Sequence, residues 1–400
     1  MLNIGIVGAG VGGLCCGLML KKLGHKVTIF EKQAKSISSG VGIQLSSNAI
    51  RILRLFDLEE NIAAVASFPL MVDCINGHSG KKITSIPLGK VAEKKFNAGF
   101  YQLHRNDLIS ILKNKVEDFG IKINYGSPVN NLTQNSLNAK VQLLNQNYNY
   151  DFVIGADGVN SLVRKKIFPN HKPRFLKQVA YRTLIPSKKV PDIFLQNKTL
   201  LFLGNGKHAV SYPIKDKAFI NFVFCINTEN FYEQDWTKEV DTSELIKNFS
   251  DFIIFEGIFK KISSLKKWGL FEYPFNKLWY NNRIILLGDA CHPILPYLAQ
   301  GASQAIEDSY VLCQSLKYNF DELYPTKFLK IYTNKRYLRV KKIKEASKKN
   351  ALLYHLKNPF LKFLFHFSLK IAGYFPNFIL QRFAWIYSGG PVKSEFKNSL

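Results

Sequence analysis

Gly8-x-Gly10-x-x-Gly13, directly behind the apolar run at 4–7, is the spacing with which a backbone cradles a pyrophosphate. Gly8 allows the tight turn, Gly10 lets the main chain approach the phosphates, and Gly13 lets the following helix lie close to the strand. The helix amino terminus then offers unpaired N–H groups to the anion. Glu31 ends the next β-prone run, KVTIFE, 23 residues after Gly8, where a carboxylate can accept from ribose hydroxyls. Lys32 beside it is assigned to the same site. Strand, glycine turn, helix and terminal acid together read as a dinucleotide site, with FAD and NAD both open.

A second chemistry-bearing stretch, GDACHPILPYLAQGASQAIEDS at 288–309, follows the apolar run RIILL. Asp289 stands at the carboxyl end of a strand, and after two prolines a helix starts from Gly301-Ala302, presenting N–H groups and a positive dipole end. Taken alone, a structural strand-turn-helix would look the same. Glu307 and Asp308 are read as a solvated face or structural hydrogen-bond partners and stay outside the catalytic set. In GNGKHAVSYPIKDKAF, His208, Val210 and Tyr212 share one sheet face by period two. If that face lines a pocket, His208 can take a phenolic proton and Tyr212 can orient the ring. Otherwise His208 ends a strand edge and Tyr212 is core. Arg182 in AYRTLIP is either a pocket cation for a carboxylate or an ordinary strand-face arginine.

The elements that must position these residues follow from patterning. Residues 176–270 hold VAYRTLIP, TLLFLG, HAVSYPI and AFINFVFCI, whose alternation predicts an antiparallel sheet interrupted by a helix at DTSELIKNF. Four hundred residues suffice for two or three structural units. No run reaches the roughly 18 apolar residues of a membrane span, and a strand starting at residue 4 leaves no room for a signal peptide, so a soluble, cytoplasmic chain is expected. Six cysteines without CxxC pairs or zinc-like spacing predict reduced thiols and no metal. The balance of 55 basic against 29 acidic residues, +26, favours anionic partners. Nucleic acid is set aside, because the cations are spread out and accompany no recognition motif. NPFLKFLFHFSLKIAG predicts a helix from an Asn358 cap and Pro359 to a stop at Gly373, with Lys362, His366 and Lys370 as a narrow polar stripe. Two readings stand: the helix packs on the protein or a second subunit, or it lies peripherally on an anionic membrane, at its inner face.

Three further stretches, HRNDLISIL (104–112), YDFVIGADGVNSLVRKKI (150–167) and the one opening RIILLGDACHP, follow the glycine turn in the order of the single-component FAD-dependent aromatic hydroxylases, which the chain resembles. SSGVGIQLSSNAIRILRLFDL (38–58) and YTNKRYLRVKKIKEASKKN (332–350) extend the resemblance over most of the chain. It implies an α/β fold: a Rossmann-like FAD-binding domain at 1–75, 100–175 and 271–325, an inserted antiparallel β-sheet substrate domain at 76–99 and 176–270, and C-terminal helices at 326–400. It implies that Glu31 binds the adenosine ribose, Arg105 the phosphate and ribityl region, and Asp289 the ribityl chain. Asp157-Gly158, with Ser161 and Arg164, would serve both FAD and NAD(P)H. Pro296, Gly301 and Ala302 would lie near the isoalloxazine, Gly42 would belong to the cofactor site, and Arg51 would lie on the flavin or nicotinamide side. The implied activity hydroxylates an electron-rich aromatic or polycyclic substrate with O2 and NADPH or NADH through a flavin hydroperoxide, the basic excess leaning towards NADPH. Hydroxylation of a lipophilic quinone precursor, antibiotic inactivation, and flavin binding without turnover are the alternatives.

Overall fold

Short apolar runs bounded by turns assemble into two large sheets in the computed structural model, which describes residues 1–35, 41–215, 217–234 and 238–392. Residues 38–40 of the SSGVG segment and 393–400 of the C-terminal segment lie outside the described residues. The first sheet runs Tyr280–Asn281, Ile284–Leu286, Phe152–Gly155, Asn3–Val7, Lys26–Phe30, Lys122–Asn124, and all but its first pairing are parallel. Ile6, Val153, Ile154 and Ile285 are buried, as the near-continuous apolar runs of a doubly covered parallel sheet require. The helix Val11–Lys22 is buried from Val11 to Leu20 and packs against the helix Gly301–Asn319. Four strands end at Val7, Phe30, Gly155 and Leu286. Their carboxyl ends feed Gly8, Glu31, Gly158 and Asp289 into one crevice, the place where open α/β sheets bind ligands.

The second sheet has seven strands in the order Lys266–Glu272, Arg174–Pro186, Phe219–Asn227, Lys207–Ile214, Lys198–Leu203, Met71–Asn76, Lys82–Pro87. It is antiparallel except where Lys198–Leu203 meets Met71–Asn76. Those two strands are joined by a long excursion through the first sheet rather than by a hairpin, so nothing forces them antiparallel. The boundary expected between 75 and 76 therefore cuts a strand: the second sheet claims the chain from Met71. Phe194, Phe202, Phe222, Phe224, Phe249 and Phe255 pack one face of this sheet against the short helices Ser243–Phe249 and Glu256–Phe259. The other face borders the crevice over its central strands and is covered elsewhere, Cys74, Leu201 and Leu203 packing against Tyr354, Phe365 and Leu369. Lys327–Tyr354 then crosses behind the Gly288 loop, followed by Pro359–Gly373 and Pro376–Tyr387. Asn358 caps the first of these two, its Oδ1 accepting from Leu361 N at 3.1 Å.

Candidate active site

A cavity of about 1340 Å³, counting its open mouth, lies between the crevice of the first sheet and the central strands of the second. Gly10, Gly42, Arg105, Gly158, Asp289 and Gly301 line it from the first side. Arg182, His208, Val210, Tyr212, Val223 and Cys225 line it from the second. Pro296 and Ala302 also reach it. The three glycines of the first turn divide the labour expected of them. Gly8 has φ +106°, and a Cβ there would lie 2.5 Å from Ala156 O; one at Gly13 would lie 2.0 Å from Gly8 O. At Gly10 the nearest atom to such a Cβ is Arg105 Nη2 at 3.9 Å, so the space beside Gly10 is open for a ligand. Glu31 accepts from Ala9 N at 2.8 Å and from Gln33 N at 2.9 Å, which fixes its carboxylate beside the turn. Asp289 sits deep in the molecule yet open to the cavity; burial raises its carboxyl above the usual range, against the pull of His292 and Arg105. Burial likewise lowers the Arg105 guanidinium, with Asp289 and Glu31 opposing. The cation thus feels the field of both acids assigned to opposite ends of a dinucleotide, and these residues fit FAD.

Strand register explains the opposite wall. Arg182 pairs with Val223 and Val223 with Val210, while Cys225 pairs with His208 and Asn221 with Tyr212. Directly paired residues share a face, so Arg182, His208 and Tyr212 look the same way. His208 lies on an interior strand paired on both sides, which removes the strand-edge reading. Its Nδ1 is 2.8 Å from His355 Nε2, and His355 Nδ1 is 2.7 Å from Asn227 Oδ1. Tyr297 donates to Gln178 Oε1, and the Gln178 amide donates to Asn227 Oδ1 at 3.0 Å. That orientation makes Asn227 Oδ1 an acceptor, so His355 carries its proton on Nδ1 and accepts on Nε2 from His208 Nδ1–H. The lone pair of His208 is then on Nε2. Burial first, and the neighbouring His355 second, hold the His208 pKa well below that of a free imidazole; burial lowers His355 to about 4. Both rings are neutral at pH 7, and His208 can accept a proton.

Arg182 is a cation without a carboxylate partner, and it shares the cavity with a second cation, Arg105. The Arg182 guanidinium lies 5.1 Å from the Trp268 ring centre, Nε finds no acceptor, and no Asp or Glu among the described residues pairs with it. Burial lowers its pKa, with Tyr212 and Cys225 opposing.

Other expected site residues are placed elsewhere. Arg51 does not face the cavity: its guanidinium donates to the carbonyls of Val392, Phe96 and Tyr387, at 2.9, 2.7 and 2.7 Å, and fastens the C-terminal helix. Lys32 is exposed beyond the strand end, outside the cavity lining. Asp157 turns inward to Ser161 Oγ and Val163 N, leaving Gly158 to face the ligand. Arg164 stacks on Tyr273 and donates to the carbonyls of Asp289 and Ala290, which binds the two loops together. Glu307 and Asp308 are fully buried and structural, as read from the sequence, but far from solvated. Glu307 is held by Arg336, Arg339 and Asn48; Asp308 by Arg336, His292 and Gly288 N. Burial would raise both carboxyls, and the guanidiniums, with His292 for Asp308, outweigh it and hold them low. Arg339 continues to the carbonyls of Trp385 and Ile386, so one buried network joins the Asp289 loop to the last helix. The sequence reading missed His355, Arg336 and Arg339. A signal existed for the arginines, which are the only two among eight lysines in Lys327–Tyr354, because guanidinium is the cation that tolerates buried bidentate pairing.

A family model described as an FAD binding domain matches residues 1–347. The chain belongs to the FAD-dependent aromatic hydroxylases. It is 28% identical over 402 residues to 3-hydroxybenzoate 6-hydroxylase 1 of Aquipseudomonas alcaligenes, covering 98% of each chain. It is also 28% identical to 6-hydroxynicotinate 3-monooxygenase of Pseudomonas fluorescens, covering 89% of this chain and 93% of that one. Among solved structures, Klebsiella pneumoniae HpxO complexed with FAD and uric acid superposes with a TM-score of 0.84 at 19% identity, covering 97% of both chains, which supports the fold. The enzyme is an FAD-dependent monooxygenase, and NAD(P)H is the reductant its family uses.

Proposed function

We propose that the enzyme hydroxylates a small aromatic ring bearing both a hydroxyl and a carboxylate. The observation that carries this is the pairing, on one sheet face, of the carboxylate-free Arg182 with His208, whose basic nitrogen is unprotonated. Their strands are two apart, about 10 Å, a gap that one ring spans when both side chains lean towards it. Two relatives carry substrates of this kind in their names, 3-hydroxybenzoate and 6-hydroxynicotinate. Bound FAD supplies reduction of O2 with nicotinamide electrons and delivery of one oxygen atom to the ring. Gly10, Glu31, Arg105, Asp289 and the Gly301 helix end would hold it. Arg182 fixes the substrate carboxylate. His208 Nε2 accepts the hydroxyl proton, which raises electron density on the ring, while His355 accepts from Nδ1–H and so holds the tautomer and ring orientation that keep Nε2 free. Tyr212, Val210 and Val223 flank the ring and keep water away.

A screen of NAD(P)H oxidation with product detection tests this, comparing hydroxyaryl carboxylates with the same phenols lacking the carboxylate. The acids should stimulate coupled turnover, and Arg182→Gln should raise KM for them at least tenfold while leaving FAD bound. Equal turnover of neutral phenols, or an unchanged KM in Arg182→Gln, would refute the assignment.

A further inference from the structure

The helix Pro359–Gly373 meets the protein with a mixed side, Lys362, Phe365, His366 and Leu369, and leaves its most aromatic side uncovered. None of its 15 residues is buried, although it is rich in phenylalanine and leucine. Lys362 donates to Asn205 Oδ1 at 2.8 Å, His366 is half-buried, and Phe365 and Leu369 rest on Cys74, Leu201 and Leu203. Phe360, Phe363, Leu364, Phe367 and Ile371 recur at helical spacing on the outer side. Tyr374, Phe375 and Phe378 continue this surface around the turn into Pro376–Tyr387, and the eight side chains are 43–74% exposed. At roughly 200 Å² for a large apolar or aromatic side chain, they show on the order of 900 Å², above the roughly 300–600 Å² of the largest patch on a typical monomer. Charge says what covers it. Between Ala346 and Val392 there is no Asp or Glu, while Lys357, Lys370 and Arg382 are exposed. Lys94 and Lys95 on the adjoining helix Gly89–Phe96 add to them and outnumber the exposed Glu93 beside them. A second copy of a +26 chain would bring like charge to like, whereas an anionic headgroup layer complements both the cations and the aromatic face. A 15-residue helix spans about 22 Å, short of a bilayer core of roughly 30 Å, and no helix among the described residues is long and apolar enough to cross one.

We propose that this face seats the enzyme peripherally on anionic bilayers, with the phenylalanines at the acyl boundary and the lysines among the headgroups. The test is cosedimentation of the full-length FAD-loaded enzyme with phosphatidylglycerol and with phosphatidylcholine vesicles, at low and high salt. Binding to the anionic vesicles alone, weakened at high salt and at least tenfold weaker in a Phe363→Ser/Phe367→Ser variant of unchanged flavin content, is the expected result. A Lys357→Glu/Lys370→Glu variant should weaken it as well, without touching the apolar face. No binding to phosphatidylglycerol at low salt, or equal binding to phosphatidylcholine, would overturn the proposal. So would a dimer in light scattering that the serine variant dissociates, since a second copy would then be the occupant.

Discussion

Replacing His355 with phenylalanine separates a catalytic histidine pair from a merely structural one. Phenylalanine takes away the acceptor for His208 Nδ1–H and strands a buried donor, at a cost of about 1–3 kcal/mol, which a domain of ordinary stability survives. The pH dependence of that cost is itself a signature. Folded His355 titrates at about 4 rather than 6.5, so between these values the unfolded chain binds the proton that the folded one refuses. Wild-type stability therefore falls as pH drops from 6.5 towards 4, by on the order of 3 kcal/mol. The variant lacks this loss and should close the gap near pH 4–5. For the reaction, His355 holds the His208 tautomer and orientation that leave Nε2 free, and a hydrogen bond of this kind is worth about 0.5–1.5 kcal/mol, or about 2- to 13-fold in rate. Product formation, NAD(P)H consumption and peroxide release should be followed from pH 6.5 to 10 on a hydroxyaryl carboxylate that the wild type turns over. Product should fall by that factor near pH 7, and the deficit should shrink as pH approaches the phenol pKa of about 10, where the substrate ionises without help. A deficit equal at every pH, or none, would refute the reasoning.

Arg336→Met should cost about 3–5 kcal/mol, because Glu307 and Asp308 would stay buried with fewer counter-charges. Both carboxyls are held low in the folded protein, so their stabilisation is present above the unfolded carboxyl pKa of about 4 and is lost as pH falls through the lower folded values. Thermal melts from pH 6 to pH 3 should show a shallower acid slope in the variant. Asp289→Ala should weaken FAD retention on gel filtration by about 1–3 kcal/mol, read from flavin absorbance; retention at the wild-type level would remove Asp289 from the cofactor site.

What the sequence discloses about this enzyme divides along a physical line. Backbone-borne chemistry is local: the Gly8–Gly13 turn and the strand-end acids Glu31 and Asp289 require particular residues at fixed spacing within one βα unit, so spacing alone reveals them. Period-two alternation is local too, and it put His208 and Tyr212 on one face before any partner was known. Arg51 and Asp157 show the opposite case. A polar side chain near a ligand motif looks the same in sequence whether it turns to the ligand or to a carbonyl, and here the carbonyls of Phe96, Tyr387 and Val392 take Arg51. His355 left no local trace, since its partner lies 147 residues away and neither segment contains a motif. The C-terminal helix was legible in its cap and its length but not in its direction, because an amphipathic pattern states that two faces differ and is silent on which one meets the protein. Lys362 reaching Asn205 settles the direction, and it turns a pattern that suits an ordinary packed helix into an uncovered aromatic surface.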